Sequence, residues 1–331
     1  MKKLAILLTC MILPFFLPAQ SITSAEVKTG GFSQAKFKKA PQRVFIRSFN
    51  IFYEVFGTAE ASTTGGESFG RVHSNTSTVM GVALDGVETQ DFLEITDQAY
   101  QYFVSSLESK GYQIVPADEA AKTSLFEGYL RKQGGELSEA ELSGFVRATP
   151  TGFEYFVPGE KNSGKEKQTF VDRAPALSQE LDDAIIADVA LTFDFIDMKT
   201  FRSELLNVSN VKGKVNFKVL PTTVGNFSVG VNFSHGKTFT AATAALTNTL
   251  KKPVEIQAPV FKDDKFSETT TAQATNIPSW ANLVWVTTDK SSTASHRAVC
   301  DGKLYKSETS RLLKEFIGVG LSNFYDSAGV K

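Results

Sequence analysis

The stretch ETQDFLEITDQAYQYFVSSLESKGYQIVPA, Glu88 to Ala117, sets the architecture expected of the chain. Phe92, Ile95, Ala99, Phe103 and Leu107 recur at steps of three and four residues, which places them on one face of a 3.6-period helix. Asp91 and Glu94 suit the helix start, and Lys110 suits the negative end of its dipole. Gly111 can take the left-handed conformation that ends a helix, and Tyr112-Gln113-Ile114-Val115 then leaves as a buried strand.

On the N-terminal side, Arg43 to Phe56 (RVFIRSFNIFYEVF) mixes alternation with continuous apolar residues, the pattern of a central strand covered on both faces. With the helix and strand after it, this makes a strand–helix–strand unit. Between the two lie a Gly, Ser and Thr loop, Gly57 to Ser77, an apolar run, Thr78 to Leu84, and an Asp85-Gly86 turn. On the C-terminal side, Asp118 caps a short helix to Leu125, Gly128 to Gly144 has no clear period, and Gly152 to Val157 reads as a strand. Pro158 to Thr169 is a charged loop, and Ser178 can cap a short helix through Asp183. Ile185 to Met198 (IIADVALTFDFIDM) is a second strong strand, with Val189, Leu191, Phe193 and Phe195 on one side.

Beyond residue 200 the grammar changes. In Val211 to Val219 apolar residues alternate with Lys212, Lys214, Asn216 and Lys218, and Phe227 to Phe233 repeats the device. Joined by Pro221 to Asn226, the two read as an antiparallel hairpin with one wet face. Thr240 to Leu250 is an Ala- and Thr-rich helix candidate, Val254 to Phe261 and Leu283 to Thr287 read as strands, and Ser307 to Phe324 closes the chain as a helix. The fold class expected is α+β: a mixed β-sheet flanked by helices, with an antiparallel hairpin portion and a C-terminal helix. Residues 1–19 form a leader, 20–41 a linker and 42–331 one α/β domain, with a sub-boundary near 200.

The leader, MKKLAILLTCMILPFFLPAQ, has Lys2 and Lys3 before an apolar run from Leu4 to Leu17, and Ala19 as a small residue suited to cleavage. That run is short for a membrane span and reads as an export signal. Cys10 after Leu7-Leu8-Thr9 offers a lipoprotein reading instead. The expected location is therefore the periplasm or the periphery of the outer membrane. Cleavage near Ala19 leaves Cys300 as the one cysteine, so the domain must rest on a hydrophobic core, to which 27 phenylalanines contribute. A formal net charge of −1 gives no basic face for nucleic acid.

Candidate chemistry is thin. Gly66-Glu67-Ser68-Phe69-Gly70 spells the G-x-S-x-G of a nucleophile elbow, with His235 and His296 downstream, but both flanks read as loop where the motif needs strand and helix. His235-Gly236-Lys237-Thr238 resembles the end of a phosphate loop, yet Gly230 stands at the wrong spacing from Gly236. His73, His235 and His296 are scattered, Asp182-Asp183 and Asp263-Asp264 read as solvated ends, and Cys300 beside Asp301 lacks an activating base. No catalytic, cofactor-binding or metal-binding residue is assigned.

The order of elements resembles the periplasmic α/β domain of CsgG-like curli-secretion proteins and of the TolB amino-terminal domain. Gly111-Tyr112-Gln113-Ile114-Val115 and Ala187-Asp188-Val189 carry the likeness, over about Val44 to Ile196. The resemblance implies a non-enzymatic role in envelope assembly or secretion and, in channel members, amphipathic hairpins that assemble into a pore. Here Val211 to Phe233 is the segment that could play that part. The partners expected are a protein or a second copy of the chain in the envelope, with membrane association through this hairpin left open and no nucleic acid. The alternatives are a soluble periplasmic ligand-binding module using the phenylalanine-rich interior, or a serine hydrolase using Ser68.

Overall fold

The computed structural model describes residues 21–63, 66–68, 71–73, 76–140, 142–162, 165–167, 173–203, 208–222, 229–238, 241–271, 284–287 and 290–330. The leader, with Cys10 and Ala19, lies outside them. In chain order the elements that build the core are β1 (Val27–Phe32), β2 (Arg43–Glu54), β3 (Phe56–Thr63), β4 (Thr76–Asp85), α1 (Thr89–Ser109), β5 (Gln113–Ile114), β6 (Leu137–Glu139) and β7 (Phe145–Ala148). They continue as α2 (Ala174–Glu180), β8 (Ile185–Ser203), β9 (Val208–Leu220), β10 (Gly230–Thr238), β11 (Ala241–Leu250), β12 (Val254–Glu255), β13 (Lys265–Thr271), β14 (His296–Val299) and α3 (Gly302–Ala328).

α1 carries the expected apolar face, with Phe92, Ile95, Ala99, Phe103 and Leu107 buried. Its start falls one turn earlier than the sequence suggests: Glu88 is the cap, and its backbone N–H donates to the Asp91 carboxylate in a capping box. Gly111 comes after the helix at φ +83°, in the left-handed region as expected. β5 then pairs parallel to β2 through Arg43–Gln113 and Val44–Ile114, which closes the strand–helix–strand unit.

The main sheet is mixed, in the order β1-β11-β10-β8-β2-β7-β6. β8 lies parallel to β2 and antiparallel to β10. α1 and α3 cover one face, packing on Phe49, Ile51 and Tyr53 of β2, Val189, Leu191 and Phe193 of β8, and Val231 and Phe233 of β10. Phe324 of α3 stacks on Phe233 with ring centres 4.1 Å apart, and Tyr305 stacks on Phe217 at 4.6 Å. Many of the phenylalanines therefore fill the core ring against ring. Sheets dominate this α+β fold, and its flanking helices are few.

Several expectations need correction. The linker expected over 20–41 holds β1, paired with β11 from Val27–Leu250 to Phe32–Ala245, and a 3₁₀ turn at Gln34–Lys39. Ile22, Val27 and Phe37 are buried, so three apolar residues among the lysines outweigh the polar composition. The ends of the loop expected over Gly57 to Ser77 are strand: β3 pairs antiparallel with β4 from Phe56–Ala83 to Thr63–Thr76. The small β-branched residues of this pair suit a pleated surface, and Thr63 and Thr76 join hydroxyls at 2.5 Å inside it. The helix candidate Thr240 to Leu250 is strand β11, because Ala244, Leu246, Asn248 and Leu250 alternate inward with period two. Ser178 does not cap a helix; it sits inside α2, donating to the Ala184 carbonyl and accepting from the Gly236 N–H.

The Val211–Phe233 hairpin is also corrected. Among the described residues β9 and β10 do not pair with each other. Ala190 pairs with both Asn50 and Gly230, and Phe193 with both Tyr53 and Val219, so β9 and β10 succeed one another along the same edge of β8. Both run antiparallel to β8 and so share one direction. The alternation marks both segments as strands, but it carries no information on which strand is the partner. Val211, Phe217 and Val219 point into the main core.

β8 outruns the body of the sheet. Beyond a register shift between Asp194 and Ile196 its remaining residues pair, among the described residues, with β9 alone, and β9 in turn with β13. A second sheet, β14-β4-β3, packs across this extension, and together they form a two-layered arm. Thr78 meets the Ser209 hydroxyl at 2.6 Å inside it, and Gly213 leaves room for Met80, Ile196 and Met198. Lys199, Thr200, Phe201 and Arg202 near the end of β8 are all exposed.

Candidate functional site

The face of the main sheet turned away from α1 and α3 is divided by a polar stripe. At one end Phe45 and Ile186 pack under α2, and at the other Phe52, Phe145 and Ala190 form a small apolar cluster. Phe49 and Ile51, and Val189, Leu191 and Phe193, belong to the opposite face, so strand alternation turns Asn50, Thr192 and Asp194 to this one. Asn50, Glu54, Asp188, Thr192 and Lys218 are all buried.

Two interruptions of strand register organise the stripe, each with a carboxylate. Where β2 and β8 slip between Ala187 and Asp188, both Arg47 and Ser48 reach the same acid. Arg47 donates to the two Asp188 oxygens at 3.0 and 2.6 Å, and the Ser48 hydroxyl donates at 2.6 Å. The fork geometry suits a planar guanidinium, and the acid is compensated within the sheet. The second slip, between Asp194 and Ile196, lies where the arm begins. There Glu54, the last residue of β2, accepts from the backbone N–H groups of Phe195 at 2.9 Å and Ile196 at 3.2 Å. A side chain thus serves these N–H groups just past the point where the β2–β8 ladder ends, at Tyr53–Phe193.

Around Glu54 the charges run across neighbouring strands, with Lys218 of β9 opposite Asp194 of β8 and Glu255 of β12 opposite Lys218. Lys218 donates to Asp197 and lies 3.6 Å from Asp194, too far for a hydrogen bond. Oδ1 of Asp194 and the Thr192 hydroxyl, both buried, have no hydrogen-bond partner among the described residues. Burial, reinforced by the Asp194 charge, pushes Glu54 up to about 8, so it is protonated at neutral pH. Burial also pushes Asp194 up to about 6, with Lys218 opposing and Asp197 adding to the rise. Burial works against the Asp197 charge too, but hydrogen bonds from Lys218 and Asn216 hold it below the usual carboxylate range. The lysine serves Asp197 and leaves the inner pair, Glu54 and Asp194, poorly compensated. Chemically, the cluster can hold and release a proton near neutral pH, and Asp197, Asn216 and Glu255 at its rim connect it to solvent.

A third charged group lies beyond β7. Glu166 accepts from Arg147 at 2.7 Å and from the Tyr155 hydroxyl at 2.8 Å, and Arg147 Nε donates to Ser138. On the helical face a cavity of about 540 Å³ opens between the first turn of α1 and the sheet. It is lined by Val55, Val87, Phe92, Leu137 and Val146, with Glu88, Thr89 and Gln90 at the helix start.

The residues singled out in the sequence are not brought together. Gly66–Ser68 is a short strand paired antiparallel with Arg71–His73, so the described part of the G-x-S-x-G motif is strand; Phe69 and Gly70 fall outside the described residues. His235 is buried in β10 of the main sheet, whereas His296 stands in β14 of the second sheet, 3.0 Å from Glu268 and beside the Phe266 ring. Gly236 continues β10 against Pro175, and a strand comes next where a phosphate loop needs a helix. Burial, with Asp85 and Asp301 nearby, pushes the Cys300 thiol up to about 12. Asp182 and Asp183 form a left-handed turn, with Asp182 3.4 Å from Arg43, and exposed Asp264 pairs with Lys265. Among the described residues no three His, Cys, Asp or Glu side chains gather as a metal site.

Glu54, Asp188, Asp194 and Lys218 do not stand out in the sequence as site residues. The signal is nevertheless present: Asp188, Thr192 and Asp194 keep even spacing within an apolar strand, and Glu54 ends another. A polar row opposite a buried row is legible; whether helices or water cover it is not. The chain matches no family model, and no curated protein or solved structure matches it.

Proposed function

We propose that the chain is an exported protein of the bacterial envelope with a non-enzymatic role in assembly or interaction, located in the periplasm or at the outer-membrane periphery. The observation that carries this reading is the arm. A run of exposed residues at its end includes Phe201, 59% exposed, and its second sheet presents Val79, also 59% exposed. Isolated surface apolar residues are ordinary, but these stand on paired strands held out from the body, where a partner can reach them. The resemblance to the CsgG-like and TolB amino-terminal domains, carried by Gly111 to Val115 and Ala187 to Val189, points to the same role. The leader adds the export half of the reading.

Fractionation of the native protein, with its size then measured in mild detergent, tests the proposal. Recovery with the envelope as an oligomer or complex is expected. A monomer that stays in the soluble fraction without detergent would remove the assembly role.

The cavity beside α1 supports a second reading, a ligand-binding module. Its volume falls within the range of small-molecule sites, and apolar side chains with a few polar groups line it. Binding of Nile red that Val146→Trp abolishes would favour this reading; binding unchanged by that substitution would remove it. The hydrolase reading rests on Ser68 alone, and fluorophosphonate labelling decides it.

A further inference from the structure

We infer that the junction between the body of the main sheet and its arm is a proton-linked joint, in which Glu54 holds the β8 irregularity shut and solvation of its carboxylate accompanies opening. The geometry places one side chain at the point of control. Glu54 ends β2, and the two N–H groups it accepts from, Phe195 and Ile196, are the first of β8 beyond the body. The backbone ladder with β2 stops at Tyr53–Phe193, and the pairing with β9 shifts at the same place. An irregularity of this kind bends a strand and re-aims the residues beyond it. Here those residues are the whole length of β8 that forms the arm.

The groups facing Glu54 make the joint responsive. Asp194 and Asp197 come from β8 and Lys218 from β9, with Asn216 and Glu255 at the rim. Phe145, opposite Glu54 on β7, brings no charge, and Tyr305 of α3 is a fully buried phenol whose own ionisation lies far above neutrality. One lysine therefore faces three carboxyls, and it already donates to Asp197. Oδ1 of Asp194, 3.6 Å from Lys218, makes no hydrogen bond among the described residues, which marks the same shortage of donors. Lys218 faces all three acids and Lys199 reaches Asp197 from the solvent side, so ionising Glu54 adds a further negative charge to a buried group already short of cations, and any state that exposes Glu54 to water gains when Glu54 loses its proton.

The direction comes from linkage. Glu54 in the closed joint has its value raised to about 8, while in an open, solvated joint it returns to the ordinary carboxylate range. The closed joint is thus fully favoured at acid pH and loses stability as the pH climbs toward the raised value, levelling above it. Asp194, raised to about 6, still titrates at the lower edge of this range, so Glu54 dominates between pH ~6 and ~8 and acts alone only from pH ~7 upward.

Hydrogen exchange of the Phe195 and Ile196 amides in the intact chain reads the joint. Their protection factors, corrected for intrinsic exchange, should fall ~10-fold from pH ~6 to ~7 and roughly 50-fold in all between pH ~6 and ~8, because the slope lessens as the raised value is reached. Amides of the α3 core around Phe316 should change far less. Glu54→Gln, which keeps an acceptor without an ionisable group, should remove the pH dependence at Phe195 and Ile196. Unchanged protection in the wild-type chain would overturn the joint, and this measurement does not depend on the variant folding. An equal fall throughout α3 would also overturn it, since the opening would then be global. The joint serves the proposed interaction role only through the arm; because exchange reads the joint alone, its failure leaves that role standing.

Discussion

Phe324→Ala should be among the most damaging single substitutions in the chain. The ring is fully buried, with centres 4.1 Å from Phe233, 5.3 Å from Tyr112 and 5.6 Å from Phe37. Those three rings belong to β10, the exit from α1 and the N-terminal 3₁₀ turn, so no single movement can close the space left behind. Phe→Ala in a core costs ~3–5 kcal/mol, and a site that cannot collapse lies toward the upper end. We expect ~4 kcal/mol, read from urea denaturation monitored by tryptophan fluorescence and by circular dichroism. The loss should be accompanied by a local change: with its ring partner removed, Phe37 no longer anchors the 3₁₀ turn, and trypsin should cut sooner after Lys36, Lys38 and Lys39. Phe316→Ala, equally buried in α3 but without a ring contact to Phe37, provides the comparison. It should lose comparable stability without preferential cutting at these lysines. A loss below ~1 kcal/mol for Phe324→Ala, or identical early cleavage patterns in both variants, would refute the reasoning.

Gly230→Ala should destabilise by ~3 kcal/mol or more, since φ is +96° and a Cβ would meet the Asn248 carbonyl oxygen at 1.9 Å; a thermal midpoint within a degree of wild type would contradict this. Arg47→Met leaves Asp188 buried without its guanidinium and should cost ~3 kcal/mol in urea denaturation, part of it recovered when Asp188→Leu is added; no recovery in the pair would mean Arg47 acts elsewhere. Glu166 is burdened by burial, but Arg147 and the Tyr155 hydroxyl hold it below the usual range. Its contribution is therefore present above the ordinary glutamate value of ~4.3 and lost as the pH falls through the lowered one, and Glu166→Gln should flatten that acid limb of the stability curve. In a chain starting at Ser21, Cys300 should react with iodoacetamide at pH ~8 about 1,000-fold more slowly than in the unfolded chain; rapid labelling of the folded protein would contradict its burial.

Periodicity was the readable part of this chain. α1, β2, β8 and α3 each show their burial pattern over more than ten residues, and their identity comes from it. β11 shows the limit: Ala and Thr satisfy helix and strand alike when apolar contrast is weak, and only pairing with β1 and β10 decided it. The β3–β4 hairpin failed for a similar reason, since Gly, Ser and Thr signal loops until they are packed as a thin interior between two sheets. The polar stripe was half legible. The even spacing of Asp188, Thr192 and Asp194 places them on one face, but the strain on Glu54 comes from Asp194 on another strand and from the depth of cover, neither of which local sequence records. Ser68, His235 and Cys300 drew notice as reactive residue types, yet reactivity depends on neighbours, and theirs come from distant parts of the chain.

The pairing of β1 with β11 joins Val27 to Leu250, and the backbone N–H of Ile22 donates to Glu315 of α3. The first described strand can therefore find its place only after most of the polypeptide has emerged. Contacts this far apart in sequence make closure slow, because the connecting loop must be ordered before the pairing compensates for it. For a chain that is threaded across a membrane before it folds, as proposed, this delay is an advantage: the main sheet cannot complete on the near side while its later strands are still being made. The same wiring leaves the β11 edge uncovered until β1 arrives, so the interval before docking is when a holding chaperone has the most to protect.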